Sequence, residues 1–279
     1  MIPVEIQAQR PGNTAACVGE LDGVRCVLVD LGDASEPAPL TADDGLKLAV
    51  AAFTARQERV PLVCHLNSSG APPDAAVDAL HGWGVAAREL SRCSGVVPTV
   101  FCVRHAAVAG SALLLGLADF VIMVDSSYAY VSGPRMVQAY TGVPIEVDTL
   151  GGARRHGGTS GVASFVVPDV EVADDVMAEL LHLLPPNADV VPEPVTTADP
   201  VERTLPAAAA LMPTTPTGSY DVRSLIEMIA DDGVITEIRR NWADNIVTAL
   251  GSIGGMVVGF VANQPQSLAG TLDISASQK

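Results

Sequence analysis

The chain has 279 residues, 48% of them hydrophobic, and a formal charge of −16, enough apolar material for one to two packed domains, which argues against wholesale disorder. The acid excess, with a pI near 4.5, opposes close approach to phosphate backbones or anionic lipid, so neither nucleic acid nor membrane is expected as a partner. Five cysteines with no C-x-x-C pair predict buried thiols in a reducing compartment, and Met1 to Asn13 lacks the basic-then-apolar pattern of a secretory leader, so a cytoplasmic protein is expected.

From Thr14 to about Pro186 short β-branched runs alternate with longer helical patterns, which predicts an α/β layer fold. Strands are expected at Ala16 to Glu20, Arg25 to Leu31, Leu62 to Leu66, Thr99 to Val103, Phe120 to Val124 and Tyr128 to Val131. Helices are expected at Ala42 to Gln57, Asp74 to Cys93, Ser111 to Leu117, Met136 to Tyr140 and Val172 to Leu184. Asp43 and Asp44 in the first turn and Arg56 near the end of the first helix suit its dipole. Pro185 to Pro216 is rich in Pro, Ala and Thr with little periodicity and predicts an extended linker. Beyond it, a helix at Val222 to Ala230 and strands at Val234 to Ile238, Ile246 to Ser252 and Met256 to Ala262 form a second unit.

That second unit repeats the opening of the first. Gly19 to Val29 and Gly251 to Val261 share one layout: a strand, a two-residue Asp-Gly or Gly-Gly turn of the kind hairpins require, and a second apolar strand. About 170 residues of α/β pattern follow the first copy and almost none follow the second. A sheet left this short has an open edge, so the pattern predicts a second polypeptide that completes it.

Three stretches carry residue types suited to chemistry. Leu62 to Leu66 runs into Asn67-Ser68-Ser69-Gly70-Ala71, a small-residue turn whose consecutive backbone N–H groups suit an oxyanion, although an ordinary strand-to-helix turn has the same spacing. Ala107 to Ala112 follows the next strand with small side chains that permit close approach of a ligand or of a neighbouring helix. The run Leu150 to Val162 holds Gly151, Gly152, Arg154, Arg155 and His156, a composition costly in chain entropy unless the segment shapes a groove. The arginines suit a carboxylate or phosphate, and equally a surface salt bridge. His65, in an apolar strand, is expected to be a hydrogen-bonded core residue. No His/Cys/Asp cluster has metal-ligand spacing.

The runs Ser132-Gly133-Pro134, Leu150-Gly151-Gly152-Ala153-Arg154, Thr159-Ser160-Gly161-Val162-Ala163, Asp231-Asp232-Gly233, Asn245-Ile246-Val247-Thr248, Val261-Ala262-Asn263-Gln264-Pro265 and Leu272 to Lys279 resemble, in order and spacing, the carboxyltransferase (β) subunits of biotin-dependent acyl-CoA carboxylases of the propionyl-CoA carboxylase type. The resemblance implies a crotonase-like ββα superhelix for each half. It divides the chain into an N-terminal carboxyltransferase domain (1–186), a linker (187–218) and the start of a C-terminal carboxyltransferase domain (219–279), an incomplete second copy.

In such subunits carboxybiotin releases carbon dioxide, the ureido anion removes an α-proton from an acyl-CoA, and the enolate captures the carbon dioxide. By position, the family's Ser-Gly-Gly-Ala turn falls on Ser69-Gly70-Ala71-Pro72, making Gly70 and Ala71 the implied catalytic donors. Its Gly-Gly pair beside the pantetheine falls on Ala109-Gly110, and Gly151, Gly152, Arg154 and His156 are the further implied groove residues. The implied cofactors are carboxybiotin on a separate carrier protein and coenzyme A as part of the substrate. The implied partners are a second carboxyltransferase polypeptide, a biotin carboxylase and a biotin carrier subunit in a hetero-oligomer. The chain departs from the family at Ala71, Pro72 and Ala109 and in the acidic segment Asp30 to Pro39. Two alternatives therefore stand beside transfer: a biotin-independent decarboxylase of a malonyl-type thioester, and a non-catalytic assembly subunit.

Overall fold

The computed structural model describes residues 4–5, 13–33, 35–215 and 218–279; residues 1–3 and 6–12, most of the segment expected to carry no leader, lie outside that description. The strands are β1 (Val4–Glu5), β2 (Thr14–Leu21), β3 (Val24–Gly32), β4 (Ala38–Pro39), β5 (Leu62–Gly70), β6 (Thr99–Val108), β7 (Phe120–Val124), β8 (Tyr128–Tyr130), β9 (Phe165–Val167), β10 (Ile235–Ile238), β11 (Ile246–Ile253) and β12 (Met256–Asn263). The helices are α1 (Ala42–Glu58), α2 (Ala76–Ser91), α3 (Gly110–Leu114), α4 (Pro134–Thr141), α5 (Val147–Gly151), α6 (Ala153–Arg155), α7 (Val170–Leu183), α8 (Pro206–Leu211), α9 (Val222–Ile229) and α10 (Ile274–Gln278). They fall into two compact units, Met1–His156 with Val166–Val191, and Gly157–Phe165 with Pro192–Lys279.

The first unit is built on one sheet in the order β1-β2-β3-β5-β6-β7-β9, with β4 added beside β5 and β8 beside β6. Its first hairpin is antiparallel, and β3, β5, β6 and β7 then run parallel. Parallel strands covered on both faces read as continuous apolar runs, and Leu62, Val63, Cys64, Val100, Phe101, Cys102 and Val103 are all fully buried. Burial pushes the thiols of Cys26 and Cys93 up to about 11 and that of Cys102 to about 12, so these cysteines are protonated packing groups.

α1 begins with a capping box between Thr41 and Asp44 and ends at Arg59 in the left-handed conformation. It crosses α2 at glycines. A Cβ on Gly82 would stand 2.5 Å from Ala42 O, and one on Gly45 2.5 Å from the Gly82 carbonyl carbon, so only glycine permits this backbone approach.

Both predicted hairpins form. Asp22-Gly23 and Gly254-Gly255 each have positive φ at both central residues, the mirror-image turn that matches strand twist. In the second unit β10, β11 and β12 make an antiparallel sheet in that order. α9 packs on it through Val222 and Ile226 against Val247, flanked by Ile235, Phe260 and Ala262. The uncharged run Asn245 to Leu272 is spent on this hairpin and the turn after it; among the described residues no helix is long and apolar enough to cross a membrane. Asp231 accepts from the N–H groups of Gly254 and Gly255 at 2.8 Å each, tying the helix end to the hairpin turn.

Three expectations differ from the structure. Asn67 to Gly70 continues β5 as strand instead of forming a turn, because β4 and the extended end of β6 supply partners on both sides. The glycine-rich stretch from Leu150, where a groove-shaping loop was expected, is wound into short helical turns: the end of α5, α6 and a π-turn over His156–Ser160. The segment predicted as an extended linker contains α8, and Arg203 there donates to the Met228 and Ala230 carbonyls at 2.6 and 2.9 Å, capping the end of α9.

Candidate functional site

In open sheets with parallel strands, ligands gather beyond the carboxyl ends of the strands, and here those ends bring two of the predicted groups together. A Cβ built on Gly70, the last residue of β5, would lie 3.4 Å from Val108 and 3.5 Å from the Ala109 methyl. Gly70 has φ +95°, which turns the chain at the strand end. Its carbonyl accepts from Leu40 N–H at 2.9 Å and its own N–H donates to Ser68 Oγ at 3.0 Å. The Gly70 amide is thus held by a rotatable hydroxyl two residues back, and Ala71 follows it exposed to solvent.

Ala109 sits at φ 60°, ψ −122°, a conformation that L-residues rarely adopt, and its N–H donates to Tyr130 O at 3.0 Å. Gly110 then opens α3 against the indole of Trp83; a Cβ there would stand 2.5 Å from the ring. Serine and alanine at the adjoining positions keep the junction narrow, and Ser111 Oγ closes it by donating to Val108 O at 2.9 Å.

The other predicted residues lie along β8, which borders the same junction. A Cβ on Gly151 would come within 2.1 Å of Ala129 O, and one on Gly152 within 2.9 Å of Asp148. His156 Nε2 donates to that same Ala129 carbonyl at 2.8 Å, which fixes the hydrogen on Nε2. These three residues strap the helical turns to β8. Arg154 is committed elsewhere: Nε and Nη2 bind Asp125 at 2.7 and 2.6 Å, which lowers the Asp125 pKa and raises that of the guanidinium. The arginine is 84% exposed, so solvent screens that pair and an incoming anion competes for it at small cost.

Sequence reasoning passed over Ser68, Asn67, Arg104 and Asp30. Ser68 and Asn67 were visible as the polar residues of the run before Gly70, and Arg104 as the lone charge at the end of an apolar strand. His65 lies where expected, its Nδ1 bonded to Asp30 Oδ1 at 2.8 Å. That hydrogen bond draws the Asp30 carboxyl below the usual range. Among the described residues no group of three or more His, Cys, Asp or Glu is placed to hold a metal ion.

A parallel sheet entered through an antiparallel hairpin, with glycine at one strand end beside a strained helix entry at the next, defines a crotonase-like α/β protein of the carboxyl transferase class. The carboxyl transferase domain profile matches residues 11–279, and the chain belongs to that family. It is 36% identical over 220 residues to the propionyl-CoA carboxylase carboxyltransferase subunit of Haloferax mediterranei, covering 78% of this chain and 43% of that protein. It is 34% identical over 235 residues to the methylmalonyl-CoA decarboxylase subunit alpha of Propionigenium modestum, covering 84% of this chain and 45% of that one. A crystal structure of transcarboxylase 12S, described as a hexamer with hydrolysed methylmalonyl-coenzyme A bound, superposes with a TM-score of 0.91 at 26% identity over 99% of this chain and 57% of that chain. The chain therefore spans a little under half the length of these curated relatives.

Proposed function

We propose that this chain is one piece of a split carboxyltransferase acting on an acyl-CoA, with a second polypeptide supplying the rest of the C-terminal half. In this reading residues 1–186 form the N-terminal carboxyltransferase domain, 187–218 a linker, and 219–279 the opening of the second domain. Carboxybiotin arrives on a separate carrier charged by a biotin carboxylase, and the biotin ring is a substrate to this subunit. Loss of carbon dioxide leaves a ureido anion that takes the α-proton of the thioester; the enolate's α-carbon then forms the new bond to carbon dioxide. Negative charge builds on the thioester oxygen, and the backbone amides of Gly70 and Ala71 are its donors. Each such donor contributes about 2.7 to 4 kcal/mol where water is excluded.

The observation that carries this reading is the junction of Gly70 with Ala109 at the ends of β5 and β6, in a chain of this family. The amide of Gly70 is bonded to a side-chain hydroxyl, which turns away when a thioester oxygen competes, at the cost of one ordinary hydrogen bond of roughly 1 kcal/mol. Ala109, Gly110, Gly151, Gly152, Arg154 and His156 shape the pantetheine groove, the glycines and His156 by fixing its wall and Arg154 by exchanging Asp125 for a phosphate or carboxylate.

The decisive variant is Ala71→Pro in the complete assembly, which deletes one donor without adding a charge. Carboxyl transfer from carboxybiotin to propionyl-CoA is expected to fall on the order of 10²- to 10³-fold in kcat. An unchanged kcat removes Ala71 from the mechanism. A second reading is favoured by the similarity to the methylmalonyl-CoA decarboxylase subunit: the same donors stabilise the same enolate formed by loss of carbon dioxide. Release of propionyl-CoA from methylmalonyl-CoA by an assembly free of biotin selects it. An assembly that shows no saturable binding of CoA thioesters is a scaffold.

A further inference from the structure

Three buried polar atoms with no hydrogen-bond partner in the protein, His65 Nε2, Asn67 Oδ1 and Arg104 Nε, belong to three side chains that line a single cavity of about 20 Å³ at the ends of β3, β5 and β6. Asn67 Nδ2, His65 Nδ1 and Arg104 Nη2 are each committed. Asn67 Nδ2 donates to Asp33 O at 2.7 Å, which leaves Oδ1 as an acceptor, and the residue is only 3% exposed. His65 Nδ1 donates to the Asp30 carboxylate at 2.8 Å, so in the neutral ring Nε2 is an acceptor. Arg104 Nη2 donates to Asp174 Oδ1 at 3.2 Å, and the buried Nε of this cavity-lining residue is left as a donor.

The cavity lies where the β5–β6 ladder slips. Leu66 pairs with Val103 but Ser68 pairs with Ala107, so two steps along β5 are matched by four along β6, and Arg104 sits in the surplus. Such bulges recur beside active sites, where they re-aim the residues that follow. Here Gly70 lies two residues beyond Ser68, and Ala109 two residues beyond its partner Ala107.

The occupant is selected by the donor count. Asp30 and Asp33 also line the space, but their carboxylates are bonded to His65 and Ser35; a cation meets the Arg104 guanidinium, and an anion meets the lone pairs of Asn67 Oδ1 and His65 Nε2. A molecule with two donors and one acceptor satisfies all three atoms, and the space matches one water, which needs roughly 10 to 15 Å³ of this kind and two to four polar partners. We propose that one internal water, donating to Asn67 Oδ1 and His65 Nε2 and accepting from Arg104 Nε, is built into the β5–β6 bulge and sets the position of Gly70 against Ala109. The site itself stands on geometry alone; its effect on turnover rests on the carboxyl-transfer or decarboxylation reading above.

The test has two arms. A crystal structure of the assembled complex, at a resolution that shows ordered water, is expected to place one peak within about 3.2 Å of all three atoms; an empty cavity, or an ion in it, overturns the site. In the second arm Asn67→Leu removes one acceptor and Arg104→Lys removes the Nε donor while keeping a charge for Asp174. Both are expected to lose the peak and to lower kcat on the order of ten- to a hundredfold with KM for the acyl-CoA unchanged, as for a small misplacement of reacting groups. Loss of the peak with kcat intact, or a drop in thermal midpoint alone, overturns the positioning role. If Asn67→Leu does not fold, Arg104→Lys decides the same point. A wild-type assembly that turns over no acyl-CoA defeats the proposed function and with it the positioning role, while the water peak still decides the site.

Discussion

Ala109 is the residue whose conformation costs most for its size. Its φ of 60° with ψ of −122° belongs to glycine territory, and an L-residue there carries strain of about 1 to 3 kcal/mol. The strain is held in place by the Ala109 N–H bond to Tyr130 O and by the Gly110 contact with Trp83. Ala109→Gly removes the methyl that borders the space beside Gly70 and relieves the backbone, offset in part by the greater freedom of glycine in the unfolded chain. The expected result is a gain of about 1 kcal/mol, read as a higher denaturant midpoint with an unchanged slope. The same substitution widens the junction, so a lower KM for acyl-CoA is expected alongside it in the assembled enzyme. A destabilised Ala109→Gly would show that the methyl contributes packing that outweighs the strain.

At the scale of elements, the clamp between Asp231 and the β11–β12 turn makes the second unit sensitive to acid. The N–H of Gly255, then that of Gly254, holds the Asp231 carboxyl below the usual carboxylate range. A carboxylate depressed by folding contributes its full stability above the unfolded pKa, near 3.9, and loses it as pH falls through the folded value. Stability of this unit is therefore expected to decline from about pH 4 downward, and Asp231→Asn to flatten that decline while lowering stability at neutral pH. Trp242 lies in this unit, stacked over Gly161, and Trp83 in the other, so fluorescence of a Trp83→Phe chain reports it separately. An unaltered acid limb in Asp231→Asn would assign the transition to other groups. This clamp also shows what the sequence made legible. The two hairpins were readable because Asp22-Gly23 and Gly254-Gly255 encode their turns locally. The extension of β5 through Gly70 was not, because it depends on pairing with β4 and β6 from distant parts of the chain. The glycines at 151 and 152 announced an unusual backbone, but whether they open a groove or admit a carbonyl is decided by Ala129 and Asp148, which no local pattern names. The small-residue run at Gly70 was visible for the same local reason as the turns; the His65, Asn67 and Arg104 cluster was not, since it exists only through a ladder slip.

For the molecule as a whole, the second unit leaves β12 as one end of a three-stranded sheet. Its sequence, Met256-Val257-Val258-Gly259-Phe260-Val261, has high β propensity, no charge and no proline, and Val261 is 74% exposed on the face away from the core. An uncharged edge of this kind pairs with whatever strand is offered. The unit's own core is centred on Val222, Ile226 and Val247. Under the split-enzyme reading the partner polypeptide covers this region, so the chain on its own is expected to self-associate and the co-expressed pair to run as one defined assembly. Val261→Lys places a charge on the exposed face without touching the residues packed under α9. It is expected to remove most of the large species seen by size-exclusion chromatography with light scattering for the isolated chain, and to weaken capture of the partner in the same step. Solubility without loss of the partner would separate the two surfaces, and a wild-type chain that runs as a stable monomer would overturn the claim that this edge is completed by another molecule.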